Sequence, residues 1–322
     1  MEFSAEQLAL RDSVREFLAS PGYSWSRLTG ELGLTALAVP EEHGGFGAGP
    51  VEAGIALEEA GAALLAAPLL STTVAALSLD PAQPAAAELL PALAAGTTIG
   101  AVALGGPVAR AGSALHGRVE HVLDGDAADV LIVDAGGDLY ATGAAEVRST
   151  PTLDGTRGQA TVHLSGTPAR LVAPGGAARA RDLLHAALAA ESVGVARAAL
   201  DLTIEHLHTR QQFGVPLATF QALRHRVADL YVQLEQATST ARYALRVAGT
   251  PEFALAAPLA KLAATEAAYA VTKEAIQLLG GIGFTWEHRA HRYLKRATAN
   301  HLLAGDPAAL RRLLLARVYS RL

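Results

Sequence analysis

Cysteine is absent from all 322 residues of the sequence. Its absence excludes disulfide bonds, thiolate metal sites and cysteine nucleophiles. Charged residues make up only 18% of the chain and the formal net charge is −5, so no basic field is available to attract a nucleic-acid backbone. We therefore expect no nucleic-acid partner. Apolar residues account for 51%, which suits a large core and helices that also bury area against other subunits.

Long uncharged apolar runs are also missing. The longest candidate, residues 64–79, is shorter than the roughly 18 residues that span a bilayer, and it ends at Asp80-Pro81. The first 18 residues alternate charged and apolar positions and lack a basic region followed by an apolar one, which predicts no signal peptide. We expect a cytoplasmic protein without a membrane partner.

The N-terminal part of the chain, residues 1–95, has helical periodicity. Ser4 and Gln7 have the spacing of a capping box, which predicts that the first helix begins there. A second helical stretch covers residues 50–77, with a break or kink expected at Pro68 because proline interrupts the helical hydrogen bonds.

The pattern changes over residues 96–177, where short β-prone runs alternate with Gly, Asp and Pro clusters. Such spacing is typical of a small antiparallel sheet or barrel. Residues 178–322 return to three- and four-residue apolar steps, which predict a four-helix bundle. The expected fold class is α+β, mainly α, with an N-terminal helical domain (1–95), a middle β domain (96–177) and a C-terminal bundle (178–322).

The most informative motif is the segment 209–217, Thr-Arg-Gln-Gln-Phe-Gly-Val-Pro-Leu, followed by Phe220-Gln221. Gly214 and the proline after it separate two helices, and Arg210 carries a planar fork that suits a phosphate. Gln212 and Gln221 add amide donors. By composition alone, the more frequent explanation is an inter-helix turn with an ordinary solvated arginine.

A second motif covers residues 277–284, Gln-Leu-Leu-Gly-Gly-Ile-Gly-Phe. Three glycines within four residues after a long helix let a backbone approach a ligand closely. Alone this signal is weak, because a helix cap followed by a turn gives the same pattern. The 11 histidines are scattered; His206 and His208 lie on different helix faces, and no metal site is predicted.

Together the two motifs resemble those of the acyl-CoA dehydrogenase family, in which they bind the ADP half of FAD across a subunit interface. The segment 37–47 also resembles a turn of this family. The resemblance implies FAD as the cofactor and the following cofactor-binding residues: Arg210, Gln212, Phe213, Gln221, Gln277, Gly280 and Gly281.

The departures from this family concern catalysis. Where it carries its glutamate base, either late in the chain or early in the first bundle helix, this sequence has Ala304 and Leu184. Neither side chain can accept a proton. Glu191 and Asp306 are weak substitute candidates, and a structural contact is favoured for Glu191 and a helix cap for Asp306. The segments 103–113 and 120–125 also lack the residues with which the family lines the flavin ring.

The resemblance is to the small base-lacking subunits of heteromeric bacterial dehydrogenases, including those acting on steroid side-chain CoA esters. It implies that the chain is a partner subunit of an FAD-dependent acyl-CoA α,β-desaturase. The chain would assemble with a homologous subunit in a heterotetramer, or with copies of itself. The assembly would bind an acyl-CoA substrate, and an electron-transfer flavoprotein is an open option for the electron acceptor. The lone chain is expected to be inactive. Two alternatives stay open: a non-enzymatic scaffold without FAD, and a complete homo-oligomeric dehydrogenase with a displaced base.

Overall fold

The computed structural model describes residues 3–20 and 22–320. Helices dominate both ends of the chain. Their bounds are α1 Ala5–Ala19, α2 Trp25–Gly30, α3 Pro50–Ala63, α4 Leu69–Ser78, α5 Pro84–Ala94, α6 Ala177–Thr209, α7 Gln221–Arg246, α8 Phe253–Leu279, α9 Ala290–Leu302 and α10 Pro307–Tyr319. Short 3-10 helices cover Glu41–His43, Leu217–Thr219 and Gly280–Phe284.

The strands lie mainly between α5 and α6. Their bounds are β1 Gly100–Ala103, β2 Val108–Ala111, β3 Ala114–Leu123, β4 Val130–Ala135, β5 Asp138–Thr142, β6 Glu146–Ser149, β7 Gln159–Pro168 and β8 Arg170–Ala173, with β9 Gln211–Gln212 and β10 Val215–Pro216 farther along. They form two four-stranded sheets, of order β1-β4-β5-β8 and β2-β3-β7-β6, and the β9–β10 hairpin.

The contacts between residues divide the chain into two compact units, and the segments of these units alternate along the sequence. The first contains Met1–Ala19, Leu57–Leu65 and Leu188–Leu322, and the second contains Ser20–Ala56 and Ala66–Ala187. The first unit therefore includes α1, the end of α3, most of α6 and all of α7–α10. The second includes the two four-stranded sheets with α2, α4 and α5.

The core of the first unit is rich in alanine. Buried alanines and leucines of α6, α7 and α8 pack together with Tyr293 and Ala297 of α9. Small side chains let these helices approach closely, and the extreme case is the crossing of α3 and α6. A Cβ atom added at Gly61 would lie 2.2 Å from the Glu191 carbonyl oxygen, and one at Gly194 would lie 1.7 Å from that of Glu58. Only glycine fits at either position.

Several sequence-based expectations for the fold are confirmed. The capping box forms, because the Ser4 amide donates to Gln7 Oε1 (3.0 Å) and the Gln7 amide donates to Ser4 Oγ (3.2 Å). The helical segment after Pro50 breaks before Leu69, next to Pro68. The mainly helical class with a small β region and a C-terminal bundle is also confirmed. The domain boundaries at residues 95 and 177 stay predictions.

The β region differs from the expectation in two respects. It forms two sheets, and the β1–β4 pair is parallel, with Gly100 opposite Val130. Strands β2 and β6 were not predicted, because both are short and largely exposed and therefore lack the alternation of apolar and polar residues that marks a half-buried strand.

One helix of the described chain, α6, is long and apolar enough to cross a membrane by length and composition. Its most apolar window is 89% buried inside the protein, as expected for a core helix, so its hydrophobicity is weak evidence for a membrane span.

Candidate functional site

The segment between α6 and α7 forms a tight hairpin. Val215 pairs with Gln212 and Pro216 with Gln211, so Phe213 and Gly214 are the two central turn residues. Their φ angles are +55° and +79°, as a type I′ turn requires. A phenylalanine rarely adopts positive φ, and such strained residues cluster at ligand sites. The Phe213 ring is 91% exposed and contacts the Phe220 ring edge to face at 6.1 Å.

Arg210 follows the last residue of α6 and immediately precedes this hairpin. Its backbone is fixed by hydrogen bonds from its own amide to the His206 carbonyl (2.8 Å) and from the Leu217 amide to its carbonyl (2.9 Å). Its side chain is exposed and forms no ion pair with any carboxylate of the described residues. Gln212 and Gln221 are exposed beside it, and Gln221 is the first residue of α7. The segment from Arg210 to Gln221 therefore presents an exposed guanidinium, two exposed amides and an exposed aromatic ring.

The glycine turn ends α8. Gly280 adopts φ +65°, and its amide donates to the Gln277 carbonyl, so the predicted helix cap is confirmed. A Cβ atom added at Gly280 or Gly281 would meet nothing within 4 Å, which means that open space lies above the backbone there. Gln277 is exposed, one turn before the end of the helix. Phe284, which ends the 3-10 helix after α8, and Trp286, in the loop that follows, are 83% and 77% exposed.

Packing brings the two motifs to the same end of the first unit. Leu202 of α6 packs against Ile276, Leu279 and Ala290. Ile276 precedes Gln277, Leu279 precedes Gly280, and Ala290 is the first residue of α9. His206 lies one turn beyond Leu202. Burial lowers the pKa of His206, and the positive charges of His288 and Arg210 lower it further, so these three side chains are electrostatic neighbours. The end of α6, which leads into Arg210, therefore lies close to the end of α8, which carries Gln277, Gly280 and Gly281.

The two positions expected for a catalytic base carry no acid. Leu184 is a buried residue of α6. Ala304 lies in the turn between α9 and α10 with φ +57°, followed by Gly305 with φ +106°. Asp306 caps α10, since its Oδ1 accepts from the Ala309 amide at 2.7 Å. The carboxylate of Asp306 is thus engaged in the helix cap that the sequence favours.

Glu191 is 3% exposed and lies within the bundle. Its Oε1 accepts from Arg296 Nη1 at 2.8 Å, and its Oε2 accepts from Asn300 Nδ2 at 2.8 Å. Arg296 also donates to the Leu65 carbonyl at 3.2 Å, and Asn300 contacts Ser192 Oγ at 3.1 Å. Both carboxylate oxygens of Glu191 are therefore engaged by buried side-chain donors. The cluster supports the structural role that the sequence favours for Glu191.

The turn that contains Ala304 is held by a buried lysine. Lys261 of α8 is fully buried, and its Nζ donates to the Gly305 carbonyl at 2.6 Å. Burial lowers the pKa of Lys261 to about 8, an effect that the nearby Asp306 carboxylate partly offsets. The turn in which the resemblance predicts a base therefore adjoins an ammonium group that is costly to keep charged.

This lysine predicts an alkaline increase in stability. Between pH 8 and 10.5 the unfolded chain holds a proton on Lys261 that the folded chain has lost, so raising the pH disfavours unfolding. From pH 8 to 9.5 the free energy of unfolding of the wild type should rise relative to Lys261→Met by about 2 kcal/mol. Urea denaturation at each pH measures this difference. Parallel pH profiles for the two proteins would contradict the assignment.

The second unit contains the segments expected at the flavin ring. Residues 104–107 and 118–120 line a groove of about 400 Å³. Its lining includes an ion pair between Arg118 and Glu120 (2.5 Å) but no hydroxyl, amide side chain or aromatic ring.

The described residues contain no group of three or more His, Asp or Glu side chains placed to hold a metal ion.

Three residues near the candidate positions were not singled out from the sequence: Arg296, Asn300 and His206. Arg296 and Asn300 share the four-residue spacing of one helix face, but nothing in the sequence connects them with Glu191. His206 had a usable signal, because it precedes Arg210 by four residues and so lies on the same face of α6.

Comparison with known proteins identifies the class. The model of the acyl-CoA dehydrogenase N-terminal domain matches residues 20–97, and that of the C-terminal domain matches residues 181–319. Acyl-CoA dehydrogenase IpdE2 of Mycolicibacterium smegmatis is 37% identical over 319 residues, which cover 99% of this chain and 95% of that protein. The chain belongs to the acyl-CoA dehydrogenase family.

Two solved structures narrow the comparison. The Tcur3481-Tcur3483 steroid ACAD matches with a TM-score of 0.91 and 28% identity, over 98% of both chains. The ChsE4-ChsE5 complex of Mycobacterium tuberculosis matches with a TM-score of 0.88 and 24% identity, over 100% of this chain and 99% of that one. The similarity to the ChsE4-ChsE5 complex shows a shared fold. Both neighbours are named as pairs of chains.

Proposed function

We propose that this chain is the non-catalytic partner subunit of an FAD-dependent dehydrogenase that desaturates acyl-CoA thioesters between Cα and Cβ. In the assembly it contributes contacts to FAD across a subunit interface. The observation that carries the proposal is the combination of exposed Arg210, Gln212 and Gln277 in the two motifs with Ala304 and Leu184 at the positions expected for the base. A homologous subunit supplies the base.

The residues of the first unit fit the ADP half of FAD. Arg210 offers a charged fork without a protein counter-ion, as a diphosphate requires. Open space above Gly280 and Gly281 allows close approach of a ligand to the backbone. The exposed Phe213 ring supplies an apolar face, and the glutamines supply hydrogen bonds. When bound, FAD would accept the hydrogen that leaves Cβ as a hydride.

The rest of the catalytic site is incomplete in this chain. Removal of the α-proton requires a carboxylate of suitable pKa, but Glu191 is paired with Arg296 and Asp306 caps a helix. These contacts argue against the homo-oligomer with a displaced base. The scaffold alternative differs from the proposal in one measurable property, because it binds no FAD.

The names of the neighbours support a heteromeric assembly. The Tcur3481-Tcur3483 steroid ACAD and the ChsE4-ChsE5 complex each pair two chains. We therefore infer that the chain forms a heterotetramer with a homologous dehydrogenase subunit. Its substrate would be a CoA thioester of a steroid side chain or of another acyl group. An electron-transfer flavoprotein is the acceptor that this chemistry favours.

Arg210→Ala should weaken FAD retention by about ten- to a hundredfold, because a charge-assisted contact to phosphate contributes roughly 1.5–3 kcal/mol. Flavin content after extensive dialysis of the co-purified assembly measures the effect. Arg312→Ala is the matched control, since Arg312 is an exposed arginine of α10. Equal flavin content in all three proteins would reduce Arg210 to a solvated turn residue.

A further inference from the structure

Leu202 and His206 lie on one face of the last turns of α6, and Arg210, the first residue after the helix, continues the same four-residue spacing. Leu202 anchors this face against the end of α8 and the start of α9. His206, one turn on, therefore faces the loop that connects these helices. This loop carries His288.

The surroundings of the two imidazoles are basic. His206 experiences the charges of His288 and Arg210, and burial is the larger cause of its lowered pKa. Burial also lowers the pKa of His288, and Arg289 and His291 add to the effect. Two acidic residues lie close in sequence, Glu205 and Glu287, and both are exposed. The groups that act on His206 and His288 are thus all cationic or able to become so.

Protonation of either imidazole in this cluster is unfavourable without an anion. The C-terminus of α6 provides about half a negative charge, which Arg210 alone more than offsets. The two half-buried imidazoles and an unpaired guanidinium, next to an open glycine turn, form a surface that would be completed by a group with two negative charges.

Hydrogen bonding distinguishes the two histidines. Nδ1 of His288 accepts from the Ala290 amide at 3.3 Å, so the ring hydrogen lies on Nε2, which can donate without any change of charge. The side chain of His206 makes no hydrogen bond to the residues that the structure describes, so neither ring nitrogen is committed to a protein partner.

We propose that His206 and His288 are further ligands of the FAD diphosphate beside Arg210, and that His206 takes up one proton from solvent when the diphosphate binds. The inference rests on the proposed function, because it concerns the same dinucleotide surface. His288 acts as a neutral donor through Nε2. His206 is neutral in the free protein and imidazolium in the complex, where the phosphate charge replaces the repulsion by Arg210 and His288.

The coupling has a defined sign. A proton bound only in the complex favours binding at low pH, and this advantage is lost as the pH rises through the pKa of His206 in the complex. Arg210 stays charged over the whole range. The contribution of His206 is therefore pH-dependent, and those of Arg210 and His288 are not.

Calorimetric titration of the flavin-depleted assembly with FAD, in MES, ACES and Tris buffers, counts the protons taken up. We expect up to one proton per FAD near pH 7 for the wild type and almost none for His206→Gln. At pH 6.5 His206→Gln should bind FAD about tenfold more weakly, with a much smaller loss at pH 8.5. His288→Ala should lose affinity by a similar factor at both pH values.

His208→Gln is the matched control, since His208 lies on a different face of the same helix beside an apolar groove. Far-UV circular dichroism and thermal melting establish that each variant is folded. ADP and AMP as second probes separate diphosphate from adenosine contacts, and the variants should lose the preference for ADP.

Wild-type affinity and unchanged proton uptake in both histidine variants would overturn the inference. If Arg210→Ala weakens FAD binding in the same experiment, the proposed function survives that result. Failure of the wild-type assembly to bind FAD at all would overturn the two together.

Discussion

Arg296→Met is expected to lower the free energy of unfolding by about 3–5 kcal/mol, because it leaves the Glu191 carboxylate buried without its cation. Glu191 and Arg296 are 3% and 0% exposed, so water cannot replace the lost partner without local opening. The Leu65 carbonyl loses its donor as well. Chemical denaturation of the assembly at a fixed protein concentration measures the change, since assembly itself adds to stability.

The double variant Glu191→Leu/Arg296→Met separates the cost of an unpaired charge from the value of the pair. Replacing a buried ion pair with apolar residues is often neutral or stabilising, so the double variant should recover most of the loss. Glu191→Gln keeps one hydrogen-bond acceptor and the shape of the side chain. If Glu191 is not the catalytic base, this variant should leave the activity of the assembly unchanged. A loss below about 1 kcal/mol for Arg296→Met would contradict a buried, tightly paired cluster.

The isolated chain should oxidise acyl-CoA thioesters at least about 10² to 10⁴ times more slowly than the complete assembly, which is the typical cost of losing a positioned general base. Ala304 and Leu184 are the reason, and the engaged carboxylates of Glu191 and Asp306 exclude the nearest replacements. Turnover of CoA thioesters with an artificial electron acceptor, normalised to bound flavin, measures the difference.

Two controls make this result interpretable. The chain co-expressed with a homologous subunit that retains its glutamate should turn over, and a glutamate-to-glutamine change in that subunit should abolish the activity. Robust turnover by the isolated chain would instead establish a homo-oligomeric enzyme with a base elsewhere.

Local features of this fold could be predicted from the sequence because their causes are local. The capping box at Ser4, the helix stop at Gly280 and the Asp306 cap each depend on residues within four positions of one another. The two segments that we expect to bind the cofactor are also continuous runs, so they could be located in the sequence, and their role stays a prediction. What the sequence did not show was that Phe213 would take a left-handed conformation, because that follows from the register of the hairpin.

Contacts between distant segments were not predictable in the same way. Glu191 and Arg296 are separated by 105 positions, and nothing in either helix specifies the other as its partner. The approach of His206 to His288 depends on Leu202 packing at the end of α8. The parallel pairing of β1 with β4 also joins distant positions, and periodicity reports only which face of a strand is buried.

The crossing of α3 and α6 has a consequence for how this chain can diverge. At Gly61 and Gly194 the two backbones touch, so a methyl group at either position would separate helices that also carry Glu58, Glu191 and Arg197. No neighbouring side chain can be trimmed to make room, because the obstacle is main chain. An accepted substitution at these positions would require both helices to shift together. The crossing of the two helices is therefore expected to keep glycine at both positions as the rest of the sequence diverges.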